Sequence, residues 1–199
     1  MKPMRLDGVE TIEQGDYAKL PAGGYVVQVT EVDDREDKEF LYLVFDIAEG
    51  EHKGFFGSDI YYRDKPNKHG IFLSYKQGMS DRALGMLKGK LKVFGDSNPG
   101  FDALAAWEAG KPELFVGKKV GIAAGMEEFV FQGREDGQWR KGESIDWFHA
   151  RLKTPDEIRA GKYKVPDTRA LSEEDKAKLA AYTGDTGEAQ GTYEDIPFM

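Results

Sequence analysis

The sequence predicts a mainly β protein: a five-stranded barrel with a helical insertion, followed by a disordered acidic C-terminal tail. Three observations support this fold class. Early segments rich in β-branched and aromatic residues alternate with charged or glycine-rich turns, which is typical of successive strands. Leucines at helical spacing follow in the middle of the chain, and strand character then returns. Three strands, a helical insertion and two further strands make up the element order of an OB-type barrel.

The predicted barrel opens with three antiparallel strands joined by short turns. The first strand covers residues 25–32, and a charged hairpin loop at 33–39 leads into the second strand at 40–47. A third strand is predicted over 55–62, after a glycine-flanked turn. Because side chains alternate between the faces of a strand, we expect one face of the second strand to point into the core. That face carries Leu41, Leu43, Phe45 and Ile47.

The helical insertion follows a basic loop at 63–68 and a short strand predicted at 71–75. Ser80 is placed to cap the N-terminus of a helix, and Gly95 is placed to end it. A second short helix is predicted over 102–109. The apolar residues at helical spacing in the first helix are Leu84, Leu87 and Leu91.

Strands are predicted again at 116–122 and 128–131, and a closing strand at 144–152. The residues between the last two, 133–142, are expected to form the tip of a hairpin. Taken in outline as three strands, the insertion and two strands, this order gives the predicted five-stranded barrel.

The chain changes in character after the closing strand. Thr154 begins a predicted helical turn, and Ser172 with Asp175 opens a short helix. From Thr183 the residues are polar up to the last four, so they cannot bury enough surface to offset their ordering entropy. We therefore divide the chain into an OB-fold domain at 1–153, a helical extension at 154–182 and a disordered acidic tail at 183–199.

Composition excludes several classes of protein. The chain has no Cys, so disulfide scaffolds, thiol nucleophiles and thiolate metal sites are excluded. It carries no apolar run typical of a signal peptide or membrane span, and we expect a cytoplasmic protein without a membrane partner. Its histidines, His52, His69 and His149, lack metal-ligand spacing, and neither a P-loop nor a nucleophile elbow is present. We expect no catalytic residues, metal or cofactor, and no enzyme activity.

Negative charge is concentrated at the C-terminus. The net charge of −8 argues against a nucleic-acid partner, but residues 171–199 hold seven acids and only two bases. The remaining 170 residues carry a net charge of −3 and 26 of the 28 lysines and arginines. A local basic groove on the body of the protein is therefore compatible with the composition.

Aromatic and basic residues are interleaved on the predicted strands and loops. Single-stranded nucleic acid needs aromatic rings on which bases stack and cations that follow the phosphates. The alternative for Phe40 and Tyr42 is packing beneath the helices, and the sequence leaves both roles open. The candidate nucleic-acid-binding residues are Phe40, Tyr42, Tyr61, Tyr62, Arg63, Lys65, Lys68, Lys118, Lys119, Trp139, Arg140 and Lys141.

The last residues of the acidic tail form a second candidate site. An acidic, disordered segment that ends in apolar residues is typical of a peptide that inserts an aromatic ring into a partner's pocket while its acids meet basic residues. The candidate partner-binding residues are Glu194, Asp195, Ile196, Pro197 and Phe198.

This tail resembles the tip of bacterial single-stranded-DNA-binding proteins, in which Asp-Ile-Pro-Phe follows an acidic segment that recruits replication and repair enzymes. The matching residues here are 195–198. One difference is that Phe is the final residue in that family and its carboxylate is recognised, whereas here Met199 follows Phe198.

The body is similar to phage-encoded OB-fold single-stranded-DNA-binding proteins. The similar segments are 20–29, 42–50, 53–56, 91–94 and 114–119. The resemblance implies sequence-nonspecific binding and protection of single-stranded DNA during phage replication and recombination in a bacterial cytoplasm. The tail would then recruit replication or recombination proteins. The sequence leaves the oligomeric state open, a homo-oligomer included, and the alternative function is a protein–protein adaptor that does not bind nucleic acid.

Overall fold

The computed structural model describes residues 19–58, 69–133 and 136–182, and its main element is a five-stranded antiparallel sheet. The spatial order of the strands is β3-β2-β1-β4-β5. The predicted mainly β fold is therefore confirmed. The strands are β1 (Gly23–Arg35), β2 (Phe40–Ile47), β3 (Gly70–Ser74), β4 (Lys119–Gln132) and β5 (Trp139–Lys153).

In the described part of the chain, the sheet is accompanied by the α-helices α1 (Phe55–Ser58), α2 (Asp81–Ser97), α3 (Ala103–Glu108), α4 (Pro155–Arg159) and α5 (Glu173–Tyr182). Ser80 caps α2 as predicted, because its hydroxyl accepts a hydrogen bond from the Ala83 amide at 3.3 Å. Thr154 and Glu157 form a capping box at the start of α4. Within the described residues, none of the helices combines the length and apolar composition that a membrane crossing requires.

The prediction of a third strand at 55–62 is wrong over residues 55–58, the part that the structure describes. Phe55–Ser58 forms α1, and β3 lies later in the chain, where only a short strand is predicted. The cause is Asp46, whose carboxylate accepts hydrogen bonds from the backbone amides of Phe56 (3.1 Å) and Gly57 (3.0 Å). A side-chain acceptor from β2 thus satisfies the first amides of a helical turn and stabilises it against the extended conformation.

Two further boundaries differ from prediction. The strands expected at 116–122 and 128–131 form one continuous strand, β4, so the hairpin tip is shorter than predicted and Trp139 already begins β5. Helix α2 passes Gly95 and ends at Ser97, where the Asn98 side-chain amide donates to the Phe94 carbonyl at 2.8 Å. The helix thus ends two residues past the predicted stop, and a side-chain cap from Asn98 replaces a glycine cap.

The core lies on one face of the sheet and is covered by α2 and the segment around Phe115. The expected inward face of β2 is confirmed, since Leu41, Leu43, Phe45 and Ile47 are all buried. Helix α2 contributes Leu91 and Phe94, whereas Leu84, expected on the same stripe, is exposed.

The sheet is not closed by backbone hydrogen bonds among the described residues, and β3 and β5 are its two edges. Side chains nevertheless meet across this gap. Trp147 of β5 packs against Phe45 of β2 with ring centroids 5.2 Å apart, and Phe148 of β5 lies 5.5 Å from Phe72 of β3. The sheet therefore curls until its edge strands touch through aromatic rings.

Contacts within the chain define two units. The larger unit comprises residues 20–127 and 145–169 and contains the core described above. The described part of the smaller unit comprises Lys19, residues 128–133 and 136–144, and residues 170–182.

Candidate nucleic-acid interface

The outer face of β2 and β3, in the larger unit, carries aromatic side chains in register. Tyr42 pairs with Phe72, and Phe40 pairs with Ser74. Because the odd-numbered residues of both strands are buried in the core, these even-numbered residues point away from it. The rings of Phe40 and Phe72 lie 4.6 Å apart between centroids. Strand pairing thus places two rings, far apart in sequence, side by side on one surface.

Strand β5 extends this surface across the gap in the sheet. The Phe148 side chain is 64% exposed and its ring lies 5.5 Å from that of Phe72. The His149 ring follows at 4.9 Å from Phe148. We call Phe40, Phe72, Phe148 and His149 the aromatic row. Three exposed or half-exposed phenyl rings and one imidazole form the kind of surface on which unstacked bases can lie.

Asp146 anchors His149, the last member of the aromatic row, on β5. This buried carboxylate accepts hydrogen bonds from the His149 amide (3.0 Å) and from the His149 Nδ1 (2.9 Å). Trp147 packs against the core and the adjacent Phe148 is exposed, as the alternation of side chains along a strand requires. Arg169 donates to the same carboxylate at 3.3 Å and also pairs with Glu127, so the buried charge of Asp146 is compensated.

Tyr42 lies flat over Gly70. A Cβ atom at Gly70 would fall 2.3 Å from the Tyr42 ring, so only glycine permits this approach. Burial raises the pKa of Tyr42 to about 12, and the phenol is therefore neutral at physiological pH. The structure places Tyr42 beside Phe72, with one ring face covered by backbone.

Positive charge near the row comes from Lys90 of α2 and Arg35 of β1. Lys90 Nζ donates to the Phe72 carbonyl at 2.8 Å, and burial lowers the pKa of Lys90. The Tyr75 backbone amide donates to the Glu39 carbonyl, and the Phe45 amide donates to the His69 carbonyl. The odd-numbered residues of β3 therefore direct their backbone N–H and C=O groups towards β2. The Phe72 carbonyl therefore faces the open edge of the sheet, and Lys90 satisfies it there.

The structure does not bring Lys118 and Lys119 to the aromatic row. In the sheet, Lys119 of β4 is the strand partner of Gln28 of β1. Tyr42 of β2 is the partner of Asp33, which lies five residues further along β1. That spacing corresponds to about 16 Å along a strand. Lys119 forms an ion pair with Glu49 at 3.3 Å, and Lys118 Nζ lies 4.6 Å from the centre of the Phe101 ring.

The predicted cations of the hairpin lie in the smaller unit and have acidic partners there. Arg140 pairs with Asp136 at 2.7 Å, and Lys141 pairs with Glu128 at 2.5 Å. The hydrogen bond between Lys141 and Glu128 lowers the pKa of Glu128 and raises the pKa of Lys141. A phosphate bound here would compete with these carboxylates.

Trp139, at the start of β5, contacts the C-terminal helix of the same unit. Lys178 Nζ of α5 lies 5.7 Å from the centre of the Trp139 ring, within the range of a cation–π contact. Lys178 is itself held by Glu174 at 3.0 Å and Asp175 at 3.1 Å. A base that stacks on the same face of Trp139 would have to displace this lysine.

Seven candidate residues can therefore be located, and the others lie outside the described residues. Those others are Tyr61, Tyr62, Arg63, Lys65, Lys68, Glu194, Asp195, Ile196, Pro197 and Phe198.

Sequence reasoning missed Phe72, Phe148 and His149. A signal for Phe72 is present, since Ile71 and Leu73 on either side of it are apolar and an alternating strand turns Phe72 outward. For Phe148 there is no such signal, because Trp147 and Phe148 are adjacent aromatics and either could face the core. Only the position of β5 in the folded sheet, which packs Trp147 against Phe45, decides between them.

His69 and His149 each contact groups of the protein itself. His69 is buried, its Nδ1 lies 2.5 Å from the Phe45 carbonyl, and its ring stacks on Phe56 at 4.0 Å. His149 is held by Asp146. Across the described ranges, His, Asp and Glu side chains form no group of three or more that could hold a metal ion.

In comparisons with known proteins, no protein-family model matches this chain, and no curated protein matches it. A function for the chain must consequently be argued from the chemistry of its surfaces.

Proposed function

We propose that this protein binds single-stranded DNA without sequence specificity, on the aromatic row, and recruits partner proteins through its acidic tail. The observation that carries the proposal is the row itself. Phe40, Phe72 and Phe148 form a connected series of rings, with centroid distances of 4.6 and 5.5 Å, and His149 continues it at 4.9 Å. Each base stacked on an aromatic ring contributes about 1–3 kcal/mol, and every base has a face that can stack.

The strand order supports an OB-type barrel as the fold behind this site. Strands β3 and β5 are the two edges that would have to pair for a sheet of the order β3-β2-β1-β4-β5 to close into a five-stranded barrel. In OB folds the face of strands 2 and 3 is the usual surface for oligonucleotides. Phe40 and Phe72 of the aromatic row lie on β2 and β3, and Phe148 and His149 extend the row from β5.

The charges favour a mode of binding in which stacking contributes more than phosphate contacts. Lys90 and Arg35 lie near the row, Arg35 pairs with Asp33 at 2.5 Å, and Lys119 and Lys141 are likewise held by acids. Each phosphate contacted by a cation steepens the salt dependence by about 0.7 in log K against log salt for single strands. We therefore propose salt-sensitive binding with a shallow slope.

The cellular role we propose is protection of single-stranded DNA during phage replication or recombination in the bacterial cytoplasm. The acidic tail, residues 183–199, repels the phosphate backbone and so remains available to proteins. Phe198 with Glu194 and Asp195 supplies one aromatic anchor and two charges, a set suited to a basic pocket.

The alternative is an adaptor that uses the same exposed rings to bind proteins, since fold does not determine function. The decisive experiment is fluorescence anisotropy with a labelled oligo-dT of about 30 nucleotides, at low and at moderate salt, beside a duplex of equal length. Tight, salt-sensitive binding of the single strand, with little binding of the duplex, supports DNA binding. The absence of oligo-dT binding at low salt rejects it in favour of the adaptor.

A further inference from the structure

A small pocket lies in the larger unit where β1 and β2 approach the segment after α3. Its volume is about 230 Å³, below the range of about 300–1,000 Å³ typical of sites for drug-sized ligands. It thus suits a single planar ring system. Leu41 and the buried Phe115 belong to its apolar lining.

Two aromatic rings and two charged groups give this pocket its chemistry. Tyr75 and Trp107 line it with ring centroids 6.3 Å apart and planes inclined at 65°, so a flat ligand can stack on one ring and meet the edge of the other. Asp34 and Lys111 also line the pocket. The Tyr75 hydroxyl donates to Asp34 Oδ1 at 2.6 Å, which holds the carboxylate in place. This hydrogen bond raises the pKa of Tyr75 to about 12, so the phenol keeps its proton and continues to donate.

The pocket lies at the same end of β2 as the aromatic row. Leu41, which lines the pocket on the core side, directly follows Phe40 of the row, and Tyr75 directly follows Ser74, the strand partner of Phe40. The two sites therefore occupy opposite faces at one end of β2 and β3. A strand that leaves the row at Phe40 can turn one base over the end of the sheet.

We propose that this pocket takes a single nucleobase with N–H donors on its Watson–Crick edge, guanine above all, from the strand bound on the aromatic row. The aromatic lining supplies stacking, Asp34 supplies acceptors and Lys111 supplies a cation for an adjoining phosphate. This inference rests on the proposed function, which it deepens by a preference at one position.

Guanine fits the carboxylate better than the other bases do. Its N1–H and N2–H₂ donors stand side by side, and a carboxylate presents two acceptor oxygens that can meet them. Thymine has one such donor between two carbonyl oxygens, which the Asp34 charge repels. Adenine and cytosine each place an acceptor beside their amino group. Because Asp34 is exposed, we expect a preference of about fivefold, the low end for a paired base edge.

The test uses the full-length protein and two readouts. Anisotropy compares oligo-dT with the same oligomer carrying one guanine or one inosine, which lacks the 2-amino group. NMR follows the indole N–H signals of the three tryptophans, Trp107, Trp139 and Trp147, during titration with guanosine monophosphate or thymidine monophosphate. We expect the guanine oligomer to bind about fivefold tighter than oligo-dT, with inosine between them. We also expect the Trp107 signal alone to shift with the guanosine nucleotide.

Asp34→Asn separates recognition from folding, because the amide oxygen still accepts from Tyr75 while a donor replaces one acceptor. It should abolish the guanine preference, so that oligo-dT and the guanine oligomer bind with equal affinity. Asp37→Asn removes the same charge from the exposed turn between β1 and β2, outside the pocket, and should leave the preference intact.

The outcomes separate this inference from the function on which it rests. Oligo-dT binding without guanine preference, and with the Trp107 signal unmoved by the guanosine nucleotide, overturns the pocket and keeps the function. A Trp107 shift in a protein that does not bind oligo-dT keeps the pocket and overturns the function. A shift caused by free arginine and not by the guanosine nucleotide identifies a cage for cations and overturns the inference.

Discussion

The rings of Phe72 on β3 and Phe148 on β5 lie 5.5 Å apart, although no backbone pairing joins these strands among the described residues. This contact brings the two edges of the open sheet together through side chains. It also makes one surface of rings from two distant parts of the chain, and the proposed DNA-binding site depends on that continuity.

Replacement of Phe148 by alanine should weaken binding of oligo-dT by about five- to a hundredfold, the contribution of one stacked base. Because the side chain is 64% exposed, the free energy of unfolding should change by less than about 0.5 kcal/mol. Anisotropy and urea denaturation measure the two effects. Phe148→Trp, in contrast, should bind oligo-dT with the wild-type affinity, since a base stacks equally well on an indole ring.

A matched control is Met86→Ala, which removes a 62% exposed apolar side chain from α2 that is not a member of the aromatic row. It should leave both DNA affinity and stability unchanged. Equal losses of affinity in the two variants would reject a specific role for the row.

Replacement of Glu128 by glutamine should raise the affinity for single strands if the hairpin contacts phosphates. The 2.5 Å ion pair with Glu128 engages the Lys141 ammonium, and its removal frees that cation for DNA. The slope of log K against log salt should then steepen by about 0.7, equivalent to one more phosphate contact. An unchanged slope would exclude Lys141 from the interface. Glu173→Gln, which removes a 90% exposed partner of Lys176 in the same unit, is the charge-matched control.

Replacement of Gly70 by alanine should destabilise the protein by about 1–3 kcal/mol, because the new Cβ would fall 2.3 Å from the Tyr42 ring. The loss should be much smaller in a Tyr42→Ala background, where no ring occupies that space. A double-mutant cycle in urea measures this coupling. Gly89→Ala, with no heavy atom within 4 Å of the added Cβ, should instead stabilise α2 by up to about 1 kcal/mol.

Glu49 should make stability depend on pH in the acid range. Arg159 donates to both of its carboxylate oxygens, at 2.8 and 2.9 Å, and these hydrogen bonds lower the pKa of Glu49 from 4.5 to about 2. A carboxyl that is more acidic when folded stabilises the protein above its unfolded pKa, and the stabilisation is lost as pH falls from about 4.5 towards about 2. Because both partners are partly exposed, Glu49→Gln should cost about 1 kcal/mol at neutral pH.

Urea denaturation of wild type and Glu49→Gln across this pH range should show the two stabilities converging at the acid end. Asp156→Asn removes the other partner of Arg159, a 91% exposed carboxylate, and should change stability by less than about 0.5 kcal/mol. A constant difference between wild type and Glu49→Gln at all pH values would contradict the low pKa.

Removal of residues 190–199 should leave the affinity for oligo-dT equal or higher, because the deletion takes away Glu194 and Asp195. Co-precipitation of replication or recombination proteins from a bacterial extract should be lost at the same time. A loss of DNA affinity of about tenfold would contradict the proposed division between a DNA-binding body and a partner-binding tail.

Features that depend on neighbours in the sequence could be predicted. Ser80 and Thr154 cap their helices through amides three residues ahead, and the alternation of β2 turns Leu43 and Phe45 into the core. These interactions close within one helical turn or one pleat, so the residue types alone specify them.

Features that depend on distant residues could not be predicted. Residues 55–58 form a helix because Asp46, from β2, accepts their amides. Glu49 meets Arg159 across 110 residues, and nothing in either local sequence indicates the other. Likewise, the partners of Lys119 and Lys141 are known only once the strands are paired.

The sequence by itself determined a mainly β chain with capped helices and an inward apolar face on β2, because period and capping are local properties. Only the tertiary structure decided that Phe72 and Phe148 join Phe40 in one row, and that Trp107 and Tyr75 share a pocket with Asp34. The physical reason is that such surfaces arise where strands curl and pair, and the curl is set by the packing of the whole core rather than by any one segment.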